Sequence, residues 1–428
     1  MSSLGVPAAE RRETAAPDAG RAAPDRRALV CAAVALATFA VFCALVALSR
    51  RPVTYDEPGY LATVRLVDLH GLGVRFLRSL PEPAGPLYTV VHWLARPLTG
   101  LAAPGVRVVS LLFTAATALA MVRCVASLGA GAPPLAGADV LCVPGLGAVA
   151  CLALTETPAI FFAALSLLLL AAALGRREGA GARLALGAAA GVCFGIAILG
   201  RQPYLLALGA VPLAAAARGA RAAPVALAFG LAAAAVCVPV FAVWGSVLPP
   251  AYAEVPGSGL VPGYAVLGAG YAAFIMAVLA PRYLAIPPRW AAAILLGGTL
   301  VNAATGAVRI TPLSTVASRL LSPPLVALYT HAASALLVGA GLLFVAATVR
   351  NCYLRRSEPV FLFAAAGSLL IVASCATITF QFSSRYVVVA APMLVVAAAY
   401  YTRASGWKAL RLAAGAAVNV LAVWGYLY

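Results

Sequence analysis

Residues 28–58 read ALVCAAVALATFAVFCALVALSRRPVTYDEP. The apolar run over residues 28–48 is long enough to cross a bilayer of about 30 Å as one helix. It is too long for the core of a signal peptide and no clear cleavage site follows it, so we interpret it as a signal anchor. Asp56 and Glu57 come shortly after this run, and carboxylates close to a membrane usually have a function. The stretch therefore predicts a membrane protein with functional residues just after its first transmembrane span.

The composition of the whole chain supports this interpretation. The 428 residues are 63% hydrophobic and 10% charged, with a mean hydropathy of +0.98, whereas soluble proteins carry about 25% charged residues. We predict an all-α polytopic membrane protein with one domain over residues 28–428, preceded by a disordered cytoplasmic tail over residues 1–27. The nine cysteines form no CxxC pair, so we predict neither a disulfide framework nor a zinc site.

The basic residues decide the predicted topology. The formal net charge is +17, and the arginines fall in short clusters between apolar segments, which is typical of cytoplasmic loops rather than of nucleic-acid binding. Five cytoplasmic clusters result: Arg176/Arg177/Arg183, Arg218/Arg221, Arg282/Arg289, Arg350/Arg355/Arg356 and Arg403/Lys408/Arg411. This pattern predicts about 13 transmembrane helices with a cytoplasmic N-terminus and an outer C-terminus: 28–48, 105–127, 135–154, 157–174, 182–199, 203–217, 222–245, 262–280, 290–307, 324–348, 358–378, 385–402 and 412–427.

Residues 49–104 form the first outer loop in this topology. Residues 58–69 have the spacing of a short amphipathic helix on the membrane surface. Residues 87–98 are apolar, but a run of about twelve is too short to cross. If they crossed, every later loop would change sides and the positive-inside pattern would be lost. We therefore predict juxtamembrane helices in this loop.

Two of the arginines on the outer side, where arginine is disfavoured, are candidate phosphate ligands. Arg201-Gln202 follows the span over 182–199, and Arg385-Tyr386 begins the span over 385–402. A guanidinium group suits a phosphate because it donates several charged hydrogen bonds. The alternative is that each arginine anchors its helix at the membrane interface.

The acidic residues have a structural and a functional interpretation. The pattern Thr54-x-x-Glu57 fits a capping box, which explains Glu57 better than Asp56. A carboxylate at this place can act as the general base toward an acceptor hydroxyl, so Asp56 is the candidate. Glu156 either caps the next helix or belongs to the site. Arg65 lies on the predicted surface helix and could hold the Asp56 carboxylate ionised.

Several short segments of the sequence resemble segments of the membrane glycosyltransferases with the GT-C fold. The first outer loop is similar in Tyr55-Asp56-Glu57-Pro58-Gly59-Tyr60 and in Pro83-Ala84-Gly85-Pro86-Leu87-Tyr88. Gly200-Arg201-Gln202 and Arg385-Tyr386 resemble strings in the members that add the terminal glucose to dolichol-linked oligosaccharides. The layout also resembles the protein O-mannosyltransferases and aminoarabinose transferases. The chain departs from these groups because it lacks a large later outer domain and has Gly85-Pro86 where they have two prolines.

The resemblance implies an inverting transfer of a sugar from a polyprenyl-phosphate donor to a hydroxyl of a glycan, lipid or protein acceptor at the outer face. It implies Asp56 as the base, with Glu57 orienting either Asp56 or the acceptor, and phosphate binding by Arg201 and Arg385. A divalent metal could bind paired carboxylates, but none is required, since arginines can neutralise the phosphate. The further candidate substrate-binding residues are Gln202, Tyr386, Glu156, Tyr88, His92 and Arg65, of which His92 fits packing as well as chemistry.

Two other classes remain open from the sequence alone. A secondary transporter or flippase of the cell envelope is one, although no internal repeat is visible and the ionisable residues gather at one face. A non-catalytic membrane scaffold is the other. The abundance of alanine and of arginine over lysine suggests a bacterial plasma membrane. Neither the sugar nor the acceptor is specified by the sequence.

Overall fold

The computed structural model describes residues 25–133, 135–175, 179–217, 222–252, 259–309, 314–379 and 381–428. Every regular element in these ranges is helical. The α-helices are α1 (Arg26–Leu48), α2 (Glu57–Ala62), α3 (Arg65–His70), α4 (Val74–Arg78), α5 (Leu87–Thr99), α6 (Gly105–Ser127), α7 (Leu146–Cys151), α8 (Glu156–Gly175), α9 (Ala180–Gly200), α10 (Pro203–Ala207), α11 (Val211–Ala217), α12 (Ala223–Trp244), α13 (Pro262–Leu279), α14 (Pro288–Thr305), α15 (Ser314–Leu320), α16 (Pro323–Leu354), α17 (Pro359–Ala373), α18 (Arg385–Val388), α19 (Ala391–Ala399) and α20 (Gly406–Leu427). Short 3-10 helices lie at Ala136–Cys142, Leu208–Ala210, Pro250–Tyr252, Pro281–Leu284 and Ser374–Thr377.

Nine helices in the described ranges are long and apolar enough to cross a membrane. They are α1, α6, α8, α9, α12, α13, α16, α17 together with the 3-10 helix that follows it, and α20. This finding confirms the predicted class, an all-α polytopic membrane protein.

Four of the predicted crossings are not among these nine helices, so the count of thirteen is not confirmed. Three of the four are interrupted. Residues 135–154 contain a 3-10 helix and α7, which are separated at Gly145, where φ is +92°. Residues 203–217 contain α10, a 3-10 turn and α11, and residues 385–402 contain α18 and α19. Residues 290–307 correspond to α14, an uninterrupted helix of 18 residues that ends at Thr305 and is less apolar than the nine helices. Glycine in the left-handed region and proline inside an apolar run both interrupt a helix.

The first outer loop contains four short helices instead of the predicted pair. Residues 58–69, predicted as one surface helix, form α2 and α3. The Thr63 hydroxyl donates to the carbonyl oxygen of Tyr60 at 2.6 Å and lies 2.8 Å from the hydroxyl of Thr89 on α5. These bonds tie the break between α2 and α3 to α5. Helix α5 has 13 residues and is not among the nine helices that could cross.

The boundary of the N-terminal tail is corrected by two residues. Asp25 accepts a hydrogen bond from the backbone of Arg27 at 3.0 Å and caps α1, which begins at Arg26. An acidic N-cap satisfies a backbone donor that would otherwise lack a partner. The rest of the predicted tail, residues 1–24, lies outside the described residues, as do Arg176, Arg177, Arg218 and Arg221.

The helix bundle has two chemically different ends. At one end the C-termini of α1 and α20 meet, where Ser49 donates to the Leu427 carbonyl and Arg51 to that of Tyr426. At the other end the Lys408 ammonium group pairs with Asp139 at 2.6 Å, and both side chains are buried. We call these the Asp56 end and the Lys408 end. The ion pairs among Asp56, Glu156, Arg201 and Arg385 place the starts of α2, α8 and α18 and the end of α9 at the Asp56 end.

Candidate active site

Four helix termini bring charged side chains together at the Asp56 end. Asp56 precedes α2, Glu156 begins α8, Arg201 follows α9 and Arg385 begins α18. All four residues were predicted site residues, and the structure joins them through ion pairs. Charged groups at helix ends avoid the cost of a position in the middle of a span. The cluster is thus formed by the ends of the bundle.

Arg385 is the central residue of the cluster. One of its Nη atoms lies 2.6 Å from Asp56 Oδ2, and its Nε lies 3.7 Å from Glu156 Oε1. Arg385 is 8% exposed, and its guanidinium group lies over the rings of Tyr55 and Tyr386, at 5.3 Å from each centroid. These aromatic faces stabilise the cation. Tyr386, another predicted site residue, therefore belongs to the cluster.

Arg201 and Glu156 form the buried side of the cluster. Arg201 Nη2 lies 3.2 Å from Glu156 Oε1, and Arg201 Nη1 donates to the Thr155 hydroxyl at 3.2 Å. A side chain at Gly200 would place its Cβ 2.7 Å from Ala159 on α8. Glycine at this position lets the end of α9 approach the start of α8 closely. This approach brings Arg201 to Glu156, which is completely buried.

Several polar atoms of the cluster have no hydrogen-bond partner among the described residues. Seven buried side-chain atoms in those ranges are of this kind, and five belong to Glu156, Arg201, Gln202 and Arg385. Four of the five are nitrogens: Arg201 Nε, Gln202 Nε2, and Arg385 Nε and Nη1. Buried donors without a partner are rare, because each costs about 1–3 kcal/mol. Two guanidinium groups and an amide with unused N–H donors suit an oxyanion such as a phosphate.

Asp56 has the most solvent-accessible carboxylate in the cluster. Its side chain is 37% exposed and makes no capping bond to α2, although Asp56 is the N-cap. The preceding residue, Tyr55, has φ +58°, which is unusual for a residue with a bulky side chain and costs of the order of 1–3 kcal/mol. The Tyr55 ring packs 5.2 Å from that of Tyr426 and contributes to holding this conformation. The strained residue therefore directly precedes the proton acceptor that the sequence predicts.

Glu57 has a structural environment, which corrects its prediction as a catalytic residue. Its side chain is completely buried, with Oε1 and Oε2 at 2.9 and 2.7 Å from Arg107 Nε and Nη2. The carboxylate also accepts from the backbone of Thr54 at 2.7 Å and of Ala153 at 2.9 Å. The Thr54 bond is the glutamate half of the predicted capping box. Glu57 is already fully hydrogen-bonded, so it positions α2 and does not face a substrate.

Arg107, which sequence reasoning missed, completes this pair. Its Nη1 and Nη2 atoms also donate to the carbonyl oxygens of Arg51 and Pro52, at 3.0 and 2.8 Å. The side chain is completely buried near the start of α6. The sequence did contain a signal, because an arginine in a predicted span needs a partner. The partner itself could not be identified from spacing.

Three predicted substrate-binding residues lie outside the cluster. The Tyr88 hydroxyl donates to the Ala153 carbonyl at 3.0 Å, and its ring packs 4.3 Å from His92. His92 is 1% exposed, and burial lowers the pKa of its imidazole to about 4. Both residues therefore pack α5 against its neighbours. Arg65 is exposed on α3 and makes no ion pair with any described residue.

Glu82, which the predicted set of site residues did not include, contributes a further carboxylate. It is half-buried in the turn between α4 and α5. Burial and the neighbouring Asp56 carboxylate raise the pKa of Glu82, while Arg385 and Arg201 oppose that shift. No three His, Cys, Asp or Glu side chains in the described ranges are arranged so as to hold a metal ion.

Comparison with protein-family models, curated proteins and solved structures gives no match for this chain. The fold and the site define a multi-pass, all-α membrane protein with a buried arginine–carboxylate cluster at one end of its helix bundle.

Proposed function

We propose that the protein is an inverting glycosyltransferase of the GT-C type, which transfers a sugar from a polyprenyl phosphate to an acceptor hydroxyl. The observation that supports this proposal best is the pairing of two chemical features. Unused N–H donors of Arg201, Gln202 and Arg385 lie buried beside the partly exposed Asp56 carboxylate. The first feature suits a phosphate leaving group and the second suits a general base.

The phosphate would bind between the two guanidinium groups. Glu156 is completely buried and compensates one of the two positive charges. When the phosphate replaces Asp56 as the partner of Arg385, the second positive charge of the two arginines is available to the phosphate. A phosphodiester, the linkage in a polyprenyl-phosphate sugar, carries one negative charge. Preorganised donors of this kind stabilise the negative charge that develops on a leaving group.

Release from Arg385 would leave Asp56 available as the base. The Asp56 carboxylate takes the proton of the acceptor hydroxyl, and the oxygen attacks the anomeric carbon from the face opposite the phosphate. The bond between the anomeric carbon and the phosphate oxygen breaks, and its electron pair stays on the phosphate. The products are a glycoside of inverted configuration and a polyprenyl monophosphate held by Arg201 and Arg385.

The position of the charges favours an enzyme over a secondary transporter. Transporters bind their substrates near the middle of the membrane, at interrupted helices. In this protein Asp56, Glu156, Arg201 and Arg385 are all at helix termini of the same end. A substrate bound there would meet both a phosphate site and a base.

We also propose that the chain crosses the membrane thirteen times, with the four remaining segments also crossing and the Asp56 end outside. Cysteines introduced in a cysteine-free background at Leu72 and Arg356, both exposed in the structure, test the orientation in intact cells. An impermeant maleimide should label position 72 and not position 356. The reverse labelling would overturn the orientation.

The experiment that tests the function uses purified protein in nanodiscs. Synthetic polyprenyl-phosphate glycosides of glucose, mannose and arabinose are incubated with lipid and glycan extracts from cells that lack the gene. We expect release of polyprenyl monophosphate with at least one donor, and a product of inverted anomeric configuration by NMR. Absence of turnover with every donor, or a product that retains configuration, would contradict the proposal. Asp68→Asn, which affects an exposed ion pair with Arg96 and a 3.4 Å hydrogen bond from the Trp93 indole, is the matched control.

A further inference from the structure

The turn that carries Glu82 is fixed to the candidate site. Leu80 and Ala84 are buried, and a Cβ at Gly85 would lie 2.1 Å from the carbonyl oxygen of Leu199. Such a distance excludes any side chain at Gly85, so the turn lies directly on the end of α9. Leu199 precedes Arg201 by two residues. The turn thus holds Glu82 in place beside the arginines.

The Glu82 carboxylate lies against the first turn of α2. Its Oε1 would be 3.5 Å from a Cβ built on Gly59, three residues after Asp56. Electrostatic interactions couple Glu82 to Asp56, Arg385 and Arg201. The carboxylate makes no hydrogen bond or ion pair with any residue in the described ranges. The Glu82 oxygens are therefore acceptors beside the arginines that no described protein group uses, and their position at the site suggests that a ligand supplies the partner.

The charges of the cluster restrict what this partner can be. The two arginines already have Asp56 and Glu156 as partners, and Glu82 adds a third negative charge. A phosphate bound by the arginines would repel Glu82, so the phosphate is not its ligand. A carboxylate can accept hydrogen bonds at both oxygens. Two neighbouring hydroxyl groups on a sugar ring offer donors with the matching spacing.

We infer that Glu82 binds hydroxyl groups of the transferred sugar and selects among donors by their sugar. This inference rests on the proposed function and adds the residue that recognises the sugar. The assignment separates three tasks at the Asp56 end. Arg201 and Arg385 bind the phosphate, Asp56 accepts the proton, and Glu82 orients the sugar ring.

Direct binding measurements test the inference without turnover. The probes are farnesyl phosphate and the farnesyl-phosphate glycosides of glucose, mannose and arabinose, measured on protein in nanodiscs. Wild-type protein should bind at least one glycoside more tightly than farnesyl phosphate. Glu82→Gln should weaken that glycoside about tenfold, the scale of one charge-assisted hydrogen bond. The affinity of Glu82→Gln for farnesyl phosphate should not fall, because Glu82 does not bind the phosphate.

The outcomes separate this inference from the proposed function. An unchanged preference for the glycoside in Glu82→Gln, or an equal loss of glycoside and farnesyl phosphate binding, would overturn the role of Glu82 alone. Failure of the wild-type protein to bind farnesyl phosphate would contradict the proposed function and the inference with it. Asp68→Asn, in the same loop, should bind all probes as the wild-type protein does.

Discussion

Asp56 and Glu57 are adjacent in sequence and have opposite environments. Glu57 is completely buried, is bound by Arg107 at two atoms and accepts two backbone hydrogen bonds. Asp56 is 37% exposed and pairs with Arg385, two of whose nitrogens have no hydrogen-bond partner in the described part of the chain. A buried ion pair whose polar atoms all have partners, such as Glu57–Arg107, stabilises the fold, and we call it the saturated pair. The cluster around Arg385 still has buried polar atoms without partners among the described residues, so it can bind a ligand, and we call it the unsaturated cluster.

The largest expected effect concerns the saturated pair. Arg107→Met leaves the Glu57 carboxylate buried without its cation, and breaking a buried ion pair in this way typically costs about 3–5 kcal/mol. We expect a large loss of thermal stability in detergent, measured by a thiol-reactive unfolding assay. Arg96→Met removes an exposed arginine that pairs with Asp68 and should cost less than about 1 kcal/mol. Equal effects of the two variants would contradict the structural role of the Glu57–Arg107 pair.

His92 provides a second test of this comparison, because its buried Nδ1 also has no hydrogen-bond partner among the described residues. Burial depresses the folded-state pKa from 6.5 to about 4, so the neutral form stabilises the fold above pH 6.5 and this contribution is lost as the pH falls toward 4. The loss should reach about 3 kcal/mol near pH 4.

The measurement for His92 is the melting temperature between pH 7 and 4.5. His92→Leu should show a clearly smaller decrease over this range, while His70→Leu, at an exposed histidine, should follow the wild-type protein. Farnesyl phosphate binding should be the same in both variants. A loss of binding in His92→Leu would show that this residue belongs to the site after all.

A smaller effect is expected in the unsaturated cluster, and on binding instead of stability. Arg385→Gln and Arg201→Gln should each weaken farnesyl phosphate binding by about 10- to 100-fold, since each removes charged hydrogen bonds to the phosphate. Both variants should be more stable than Arg107→Met. Arg319→Gln, at an exposed arginine beside Trp424 at the same end, is the control. Unchanged affinity in both site variants would mean that the arginines only anchor their helices.

Much of the cluster was predictable because topology alone sorts residues between the two ends of a bundle. Spans that alternate in direction put Asp56, Glu156, Arg201 and Arg385 at the same end, and the structure joins these four residues. The long apolar helices follow from hydropathy in the same way. The interruption at Pro144-Gly145 also had a local signal, since this pair of residues usually marks a turn.

The partners across the fold could not be predicted. Spacing and hydropathy show that Arg107 is costly in a span, but not that Glu57 would reach it. Lys408 was predicted in a basic loop, yet it is buried against Asp139. The position of Glu82 beside the arginines depends on the close approach of Gly85 to Leu199, a packing contact between distant segments. Such contacts are set by tertiary packing, which a single sequence does not specify.

The most direct test of the account compares Asp56→Asn with Glu57→Gln in the sugar-transfer assay. Asp56→Asn should fold normally and bind farnesyl phosphate at least as tightly as the wild-type protein, because the carboxylate that competes for Arg385 is gone. It should transfer sugar at least about a hundredfold more slowly, the usual scale for loss of a general base. Glu57→Gln should be less stable, with a folded fraction that remains active. An Asp56→Asn protein within a few fold of wild-type turnover would contradict the role of Asp56 as the base.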